Sequence, residues 1–242
     1  EYSVTIDGEN KGNFSSYTFP ESSAAGFIAY TDGTNYYAAN ETVTITEAKE
    51  FTTVAYGELK MDTGASIRLG TTLSGIRFYT PIDTTQVDKL KNMGATVQFG
   101  TLIAPKDYLT ESELTFDLGT GRYADVPFTS KTYFTETGFK GVVGSIVSIK
   151  DANVAREFVG RGYAKVTLGS VEKIIYADYA NKDIKNNSRS VAFVANAYKN
   201  NNSGYASLKD SFKELVDKWA GAYTLKNNGI DIGKVKTVNS AT

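Results

Sequence analysis

The side chains available for chemistry in this sequence are carboxylates and aromatic hydroxyls, because its 242 residues include no histidine and no cysteine. Without those two residue types the chain cannot form a Ser-His-Asp or Cys-His triad, a disulfide, or an imidazole or thiolate metal site. A glycosidase-type enzyme would need two carboxylates about 5 to 10 Å apart in a cleft. The spacing of the 27 acidic residues singles out no such pair. We therefore predict no catalytic residues, no metal site and no cofactor.

One short motif has a catalytic precedent, the run DTGAS at residues 62–66. In retroviral-type aspartic proteases, two Asp-Thr-Gly loops bring two carboxylates together, one protonated and one ionised. The sequence contains no second Asp-Thr-Gly or Asp-Ser-Gly, and the run ELKM, with two charged residues, precedes Asp62 where an apolar strand is needed. We therefore interpret Thr63 and Gly64 as a turn that leads into a strand over residues 65–69.

The aromatic residues are the best candidates for ligand binding. The chain has 16 tyrosines, 13 phenylalanines and one tryptophan, and the C–H faces of sugars stack on such rings. Tyr123 and Tyr133 lie in a long segment of weak periodicity, where an exposed platform or packing under the loop is expected. If residues 36–37 are extended, Tyr36 and Tyr37 point in opposite directions, so at most one is expected to be buried. Trp219 completes the candidate set, with core packing as its alternative role.

Charge and hydropathy exclude two classes of partner. The 26 basic and 27 acidic residues leave a net charge of -1, which gives no electrostatic footprint for nucleic acid or anionic lipid. No apolar run approaches the roughly 20 residues that a membrane-spanning helix requires. We predict neither nucleic-acid binding nor membrane insertion.

Four arginines lie within or beside apolar, strand-like segments. Arg68, Arg77, Arg156 and Arg161 could clamp a ligand. We expect them more often on the polar faces of strands, or paired with a carboxylate such as Glu157.

The pattern of residues 1–57 indicates an all-β subdomain. Short alternating or apolar runs are separated by Asp-Gly turns at residues 7–8 and 32–33, and helix signals are lacking. The predicted strands cover residues 2–6, 17–20, 26–30, 42–46 and 51–56.

Residues 58–242 predict a larger β-rich module with two C-terminal helices, so the fold class is mainly β (α+β). A short helix with threonine caps is expected over residues 84–90, and a long, weakly periodic segment over 105–138. Helices are expected over 190–198 and along an amphipathic stripe from Tyr205 to Trp219 that ends at Gly221. The tail from Lys226 onward is expected to be a strand or a frayed terminus. The predicted strands cover residues 65–69, 75–79, 95–104, 142–149, 163–168 and 173–176.

Residues 1–57 resemble the small β-grasp-like B-repeat of bacterial surface proteins, the internalin B-repeat group. The resemblance rests on GFIAYTDG at residues 26–33, YYAANETVTIT at 36–46 and FTTVA at 51–55. Asn40 stands where the pattern usually has glycine, and Ala29 where it usually has tryptophan. The resemblance implies a β-grasp-like subdomain that acts as a spacer or an interaction module.

Residues 62–199 resemble surface modules of anaerobic gut Firmicutes, which accompany dockerins, glycoside hydrolases and carbohydrate-binding domains. The matching runs are TGASIRL (63–69), GIRF (75–78), FGTLIAP (99–105), RGY (161–163) and RSV (189–191). Together the two halves resemble a domain of the starch adherence system proteins of amylosomes. No binding or catalytic residues carry over from this resemblance. The lack of cysteine together with abundant threonine, asparagine, tyrosine and glycine favours a secreted or cell-surface protein of a Gram-positive bacterium, with a cytosolic protein that lacks cysteine as the alternative. The first residue, Glu1, suggests a piece of a longer protein with further domains.

Three functions follow as expectations. The first is non-catalytic binding of a polysaccharide or oligosaccharide, an α-glucan such as starch, by aromatic stacking and hydrogen bonds. The second is a structural spacer or protein-interaction module, for example one that binds a partner strand at an exposed sheet edge. The third, least favoured, is an enzyme with a carboxylate pair. An exposed concave aromatic patch would favour the first function, and an aromatic cluster buried in the structure would favour the second.

Overall fold

The computed structural model describes residues 1–109, 113–136, 138–179 and 187–223, which have a mainly β (α+β) fold. The chain divides into two compact units. The first unit comprises Glu1–Leu59, Asp83–Gln98 and Tyr163–Ile175. The second unit comprises Lys60–Ile82, Phe99–Gly162 and the described residues from Tyr176 onward. The expected domain boundary between residues 57 and 58 stays a prediction.

Residues 1–59 form strands and turns without a helix, as the sequence predicts. The main sheet has the order β2-β1-β7-β4-β5, in which β1 and β7 run parallel, and β3 pairs with β6 separately. Asp7 and Gly8, both with positive φ, form the predicted turn between the first two strands. The strands are β1 (Tyr2–Ile6), β2 (Glu9–Phe14), β3 (Ser16–Thr18), β4 (Phe27–Thr31), β5 (Tyr36–Tyr37), β6 (Thr42–Thr44) and β7 (Lys49–Ala55).

The core within residues 1–59 is built around Phe19, which is fully buried. Its ring stacks on Tyr30 and Tyr37 at 5.1 Å and meets Phe51 edge-on at 4.8 Å. Alternation along β1 places Val4 and Ile6 in this core and leaves Ser3 and Thr5 half-buried. The buried members are Val4, Ile6, Tyr17, Phe19, Phe27, Tyr30, Ile45 and Phe51.

The remaining strands form three further sheets. One has the antiparallel order β13-β14-β10-β9, another has the order β12-β11-β15-β16, and β17 pairs with β8 in parallel. The strands are β8 (Lys60–Met61), β9 (Ser66–Arg68), β10 (Gly75–Pro81), β11 (Thr96–Pro105), β12 (Ala124–Pro127), β13 (Phe134–Glu136), β14 (Phe139–Val147), β15 (Phe158–Leu168), β16 (Val171–Tyr176) and β17 (Asp178–Tyr179).

Glycines let β14 and β15 approach neighbouring strands of the second unit closely. A Cβ atom at Gly162 would lie 2.2 Å from Oγ1 of Thr80, and one at Gly144 would lie 2.3 Å from Cβ of Thr101. Both distances are far below a van der Waals contact. Glycine is therefore needed at both positions for packing.

The described residues contain three α-helices, with starts that differ partly from the sequence prediction. Helix α1 (Thr84–Asn92) is capped by Asp83, whose carboxylate accepts two backbone N–H groups, and not by a threonine. Helix α2 (Val191–Asn201) begins after Ser190, whose hydroxyl accepts from the N–H of Phe193. Helix α3 (Asp210–Gly221) ends as predicted but starts five residues beyond Tyr205. Tyr205 lies in a separate 3-10 turn.

Residues 105–138, predicted to lack regular structure, contain two strands, β12 and β13. Strand β12 pairs with β11, and β13 pairs with β14. Both are short strands at sheet edges, so their periodicity is too brief to detect in the sequence. The tail from Lys226 onward lies outside the described residues. None of the helices in the described part of the chain is both long and apolar enough to cross a membrane.

Candidate functional site

An open cleft of about 390 Å³ lies along helix α3 in the second unit. We call it the α3 cleft. One wall is the turn between β9 and β10, another is the segment after β14, and the third is the helix. The turn between β9 and β10 is joined to the segment after β14 by a hydrogen bond from the N–H of Ser148 to the carbonyl of Ser74. The lining residues are Gly70, Thr71, Thr72, Leu73, Ser74, Ser148, Ile149, Asp151, Ser211, Phe212, Leu215, Lys218 and Trp219.

The apolar part of the α3 cleft comes from one face of the helix. Phe212, Leu215 and Trp219 follow a spacing of three and four residues, which aligns them on that face. Trp219 is only 4% exposed, whereas Phe212 and Leu215 are half-buried. On the opposite wall, Leu73 is 43% exposed at the tip of a turn. The cleft therefore has an apolar surface that a ligand can contact.

The rim of the α3 cleft is polar and balanced in charge. Nζ of Lys218 lies 2.8 Å from Oδ1 of Asp151, and these are the two charged residues among those that line the cleft. Hydroxyl groups of Thr71, Thr72 and Ser211 also line it. Such a rim can donate hydrogen bonds to an uncharged polar ligand and accept them from it.

Tyr123 and Tyr133, proposed as loop platforms, are each half-buried against other rings. Tyr123 lies directly before β12, where its ring meets Phe116 edge-on at 5.9 Å and its hydroxyl lies 3.4 Å from the carbonyl of that residue. Tyr133 stacks on Phe128 at 6.2 Å and meets Phe99 edge-on at 6.5 Å. Both tyrosines thus have packing roles, which limits the ring face open to a sugar.

Tyr36 and Tyr37 are also half-buried, so neither is fully buried, in agreement with the expectation that at most one would be. The Tyr36 hydroxyl donates to the carbonyl of Met93 at 3.0 Å. The Tyr37 ring packs in the aromatic core, and its hydroxyl donates to Oδ2 of Asp32 at 3.0 Å. Of the five aromatic candidates, Trp219 is the one that lines the α3 cleft.

Sequence reasoning missed Leu73, Asp151 and Lys218 as cleft residues. They come from three separate segments, and the ion pair joins residues 67 positions apart. The one available signal was Leu73, an apolar residue within the otherwise polar turn GTTLS. Phe212 and Leu215 belong to the predicted amphipathic stripe but were not among the predicted ligand-binding residues.

The run DTGAS at residues 62–66 forms a turn and the start of β9, as expected, with Gly64 at φ 78°. Asp62 and Glu136 both line a cavity of about 10 Å³, together with Tyr79 and Arg77. Burial raises the pKa of Tyr79 to about 12, aided by the two nearby carboxylates. A cavity of this size holds about one water molecule and is too small for a sugar ring.

Arg161 is buried and is paired with a carboxylate, as one of the two expectations had it, because its Nη1 lies 3.1 Å from Oε2 of Glu113. Arg77 is also buried, so it does not lie on an exposed polar face of its strand. Burial and, to a lesser extent, the like charge of Arg68 lower the pKa of Arg77 to about 10, although Glu136 acts to raise it. Arg156 is paired, but with Asp107 at 2.9 Å. Glu157 is instead paired with a lysine.

In the part of the chain that the structure describes, no group of three or more acidic side chains could hold a metal ion. No protein-family model matches this sequence, and no curated protein is significantly similar to it.

Proposed function

We propose that this chain is a non-catalytic carbohydrate-binding module of a bacterial cell-surface or secreted protein, and that it binds an α-glucan such as starch in the α3 cleft. The observation that carries the proposal is one open cleft of about 390 Å³ that combines a neutral polar rim with the exposed Leu73 and the half-buried Phe212 and Leu215. A sugar ring has the same two chemical faces, C–H groups and hydroxyls. The resemblance to amylosome modules supports an α-glucan as the ligand.

The recognition mechanism needs no bond making. Phe212 and Leu73 contact the C–H face of a sugar, and Asp151 and Lys218 exchange hydrogen bonds with its hydroxyls. Trp219 also lines the cleft but is only 4% exposed, so it adds little to that surface. An open site with few polar contacts holds each sugar weakly. Several copies of such a module on one larger protein would compensate by multivalent attachment to a polysaccharide.

The test is native electrophoresis in gels that contain amylopectin, xylan, pectin or β-glucan, beside a gel without polysaccharide. We expect retardation by amylopectin, and binding weakened at least about fivefold, roughly 1 kcal/mol, in Leu73→Ala and Phe212→Ala. Phe139→Ala is the matched control, because Phe139 is an apolar side chain that is 66% exposed and does not line the cleft. Equal retardation of all three variants and the parent chain would contradict the assignment to this cleft.

A second function, spacer or protein-interaction module, is favoured by the four candidate tyrosines. Their rings pack against other aromatic rings or their hydroxyls donate hydrogen bonds within the protein. Such contacts are expected of aromatic residues that stabilise the fold and do not bind a ligand. The resemblance of residues 1–57 to B-repeats supports the same function. A lack of retardation in all four polysaccharide gels, with the fold intact by circular dichroism, would favour it over glycan binding.

A further inference from the structure

The ion pair at the rim of the α3 cleft joins two of its walls. Nζ of Lys218 on the helix lies 2.8 Å from Oδ1 and 2.9 Å from Oδ2 of Asp151, in the 3-10 turn that follows β14. The two side chains are 58% and 74% exposed. Both charged groups are therefore accessible to a ligand that binds in the cleft.

This pair determines how the cleft treats a charged ligand. Asp151 neutralises the ammonium group of Lys218, and the other lining residues carry no charge. An uncharged sugar can donate hydroxyl hydrogens to the carboxylate and accept from the ammonium group. A uronic acid brings its own carboxylate, which is repelled by Asp151 and must compete with it for Lys218.

Resting on the proposed function, we propose that Asp151 is a specificity-determining residue, which makes the α3 cleft select uncharged oligosaccharides over those that contain uronic acids. The selection arises because the ammonium group of Lys218 is already paired with the carboxylate of Asp151. An anionic sugar would have to displace that carboxylate to form its own ion pair with Lys218. The ligand class is therefore a neutral glucan, and pectin-type polysaccharides are rejected by charge and not by shape.

The experiment measures retardation of the whole chain and of Asp151→Asn in gels that contain amylopectin or polygalacturonate. The substitution keeps the size of the side chain and exposes the charge of Lys218. We expect polygalacturonate binding to rise about three- to fivefold, the effect of one exposed charge pair, and to fall again as salt is added. Amylopectin binding should not rise, because the substitution replaces a carboxylate that accepts from the sugar hydroxyls with an amide that has one acceptor oxygen. Asp107→Asn is the control, since it also removes the acid of an exposed ion pair, with Arg156, but does not line the cleft.

The outcomes separate this inference from the function on which it rests. Amylopectin retardation of the parent chain, with a gain on polygalacturonate in Asp151→Asn and none in Asp107→Asn, supports it. Equal retardation of the parent chain by both polysaccharides, or the same gain in both variants, overturns the inference and leaves glycan binding in place. Amylopectin retardation with no gain in either variant also overturns it. If neither the parent chain nor a variant is retarded in any gel, the proposed function fails and the inference with it.

Discussion

The two units of this protein differ in the kinds of residue that they bury. The core of residues 1–59 consists of aromatic and aliphatic side chains around Phe19, with no charged member. The second unit buries Arg77, Arg161, Arg189 and Glu136. Buried charges are costly unless they are paired or hydrogen-bonded, so the second unit depends on polar contacts that must be specific. The first unit depends on ring packing, which is less directional.

The largest effect is expected in the aromatic core. Phe19→Ala should lower the free energy of unfolding by about 3 to 5 kcal/mol, because it removes a fully buried ring and leaves a cavity. Urea unfolding followed by circular dichroism measures the change. Tyr2→Ala, at a side chain that is 46% exposed, is the control and should change stability by less than about 0.5 kcal/mol. A similar small change in both variants would mean that the rings do not stabilise the first unit.

The second effect tests the buried charges. Nε of Arg161 donates to the carbonyl of Ala177 at 3.0 Å, and Nη1 lies 3.4 Å from the carbonyl of Leu114. Arg161→Met should cost about 2 to 3 kcal/mol, because both carbonyls belong to fully buried residues and lose a charged donor. The measurement is again urea unfolding.

Arg122→Met is the matched control for that substitution. Arg122 also donates to a carbonyl, that of Tyr108 at 3.0 Å, and lies 5.6 Å from the same residue's ring, but it is exposed. Its loss should change stability by less than about 0.5 kcal/mol. If the two substitutions cost the same, burial does not set the value of the arginine contacts, and the contrast between the two interiors loses its physical basis.

The third effect tests the close approach of strands in the second unit. Gly162→Ala should cost about 1 to 3 kcal/mol, because the added methyl group would lie 2.2 Å from Oγ1 of Thr80. That hydroxyl is buried without a hydrogen-bond partner, so Thr80→Ala relieves most of the clash without breaking a bond, although Cβ of residue 80 would still lie 2.9 Å from the added methyl group. The double variant should therefore be more stable than additivity predicts, as a double-mutant cycle measures. If the changes in the free energy of unfolding are strictly additive, the methyl group at position 162 does not clash with the side chain of Thr80.

The contrast between the interiors also explains what the sequence could predict. Alternation and Asp-Gly turns suffice for the strands of residues 1–59, and a regular stripe suffices for the end of helix α3. Whether an arginine in a strand is buried or exposed cannot be predicted from its neighbours in the sequence. Its burial depends on backbone carbonyls from distant segments of the chain that accept hydrogen bonds from it. The two carbonyls near Arg161 are 16 and 47 residues away. The α3 cleft was missed for the same reason, since Trp219 carries a local signal but Leu73 and Asp151 do not.

The smallest effect concerns Asp32, whose carboxylate lies in the turn after β4. Burial acts to raise its pKa, but hydrogen bonds from the N–H groups of Asn35 and Thr34 and from the Tyr37 hydroxyl outweigh it and lower the pKa to about 2. A depressed carboxyl pKa stabilises the fold above the unfolded pKa of 3.8, and this stability is lost as pH falls towards 2. Asp32→Asn should therefore cost on the order of 1 kcal/mol at pH 6, reduced by solvent screening, and little at pH 2.

Tyr37→Phe separates the turn from the aromatic core. It keeps the ring against Phe19 and Phe51 and removes the hydroxyl that donates to Asp32. We expect it to retain most of the stability but to lose part of the pH dependence between pH 2 and 4, measured by urea unfolding at each pH. Full pH dependence in Tyr37→Phe would assign the low pKa to the backbone donors alone. Loss of most of the stability at pH 6 would show that the hydroxyl, and not the ring, holds this edge of the core, and the first unit would then depend on polar contacts as the second does.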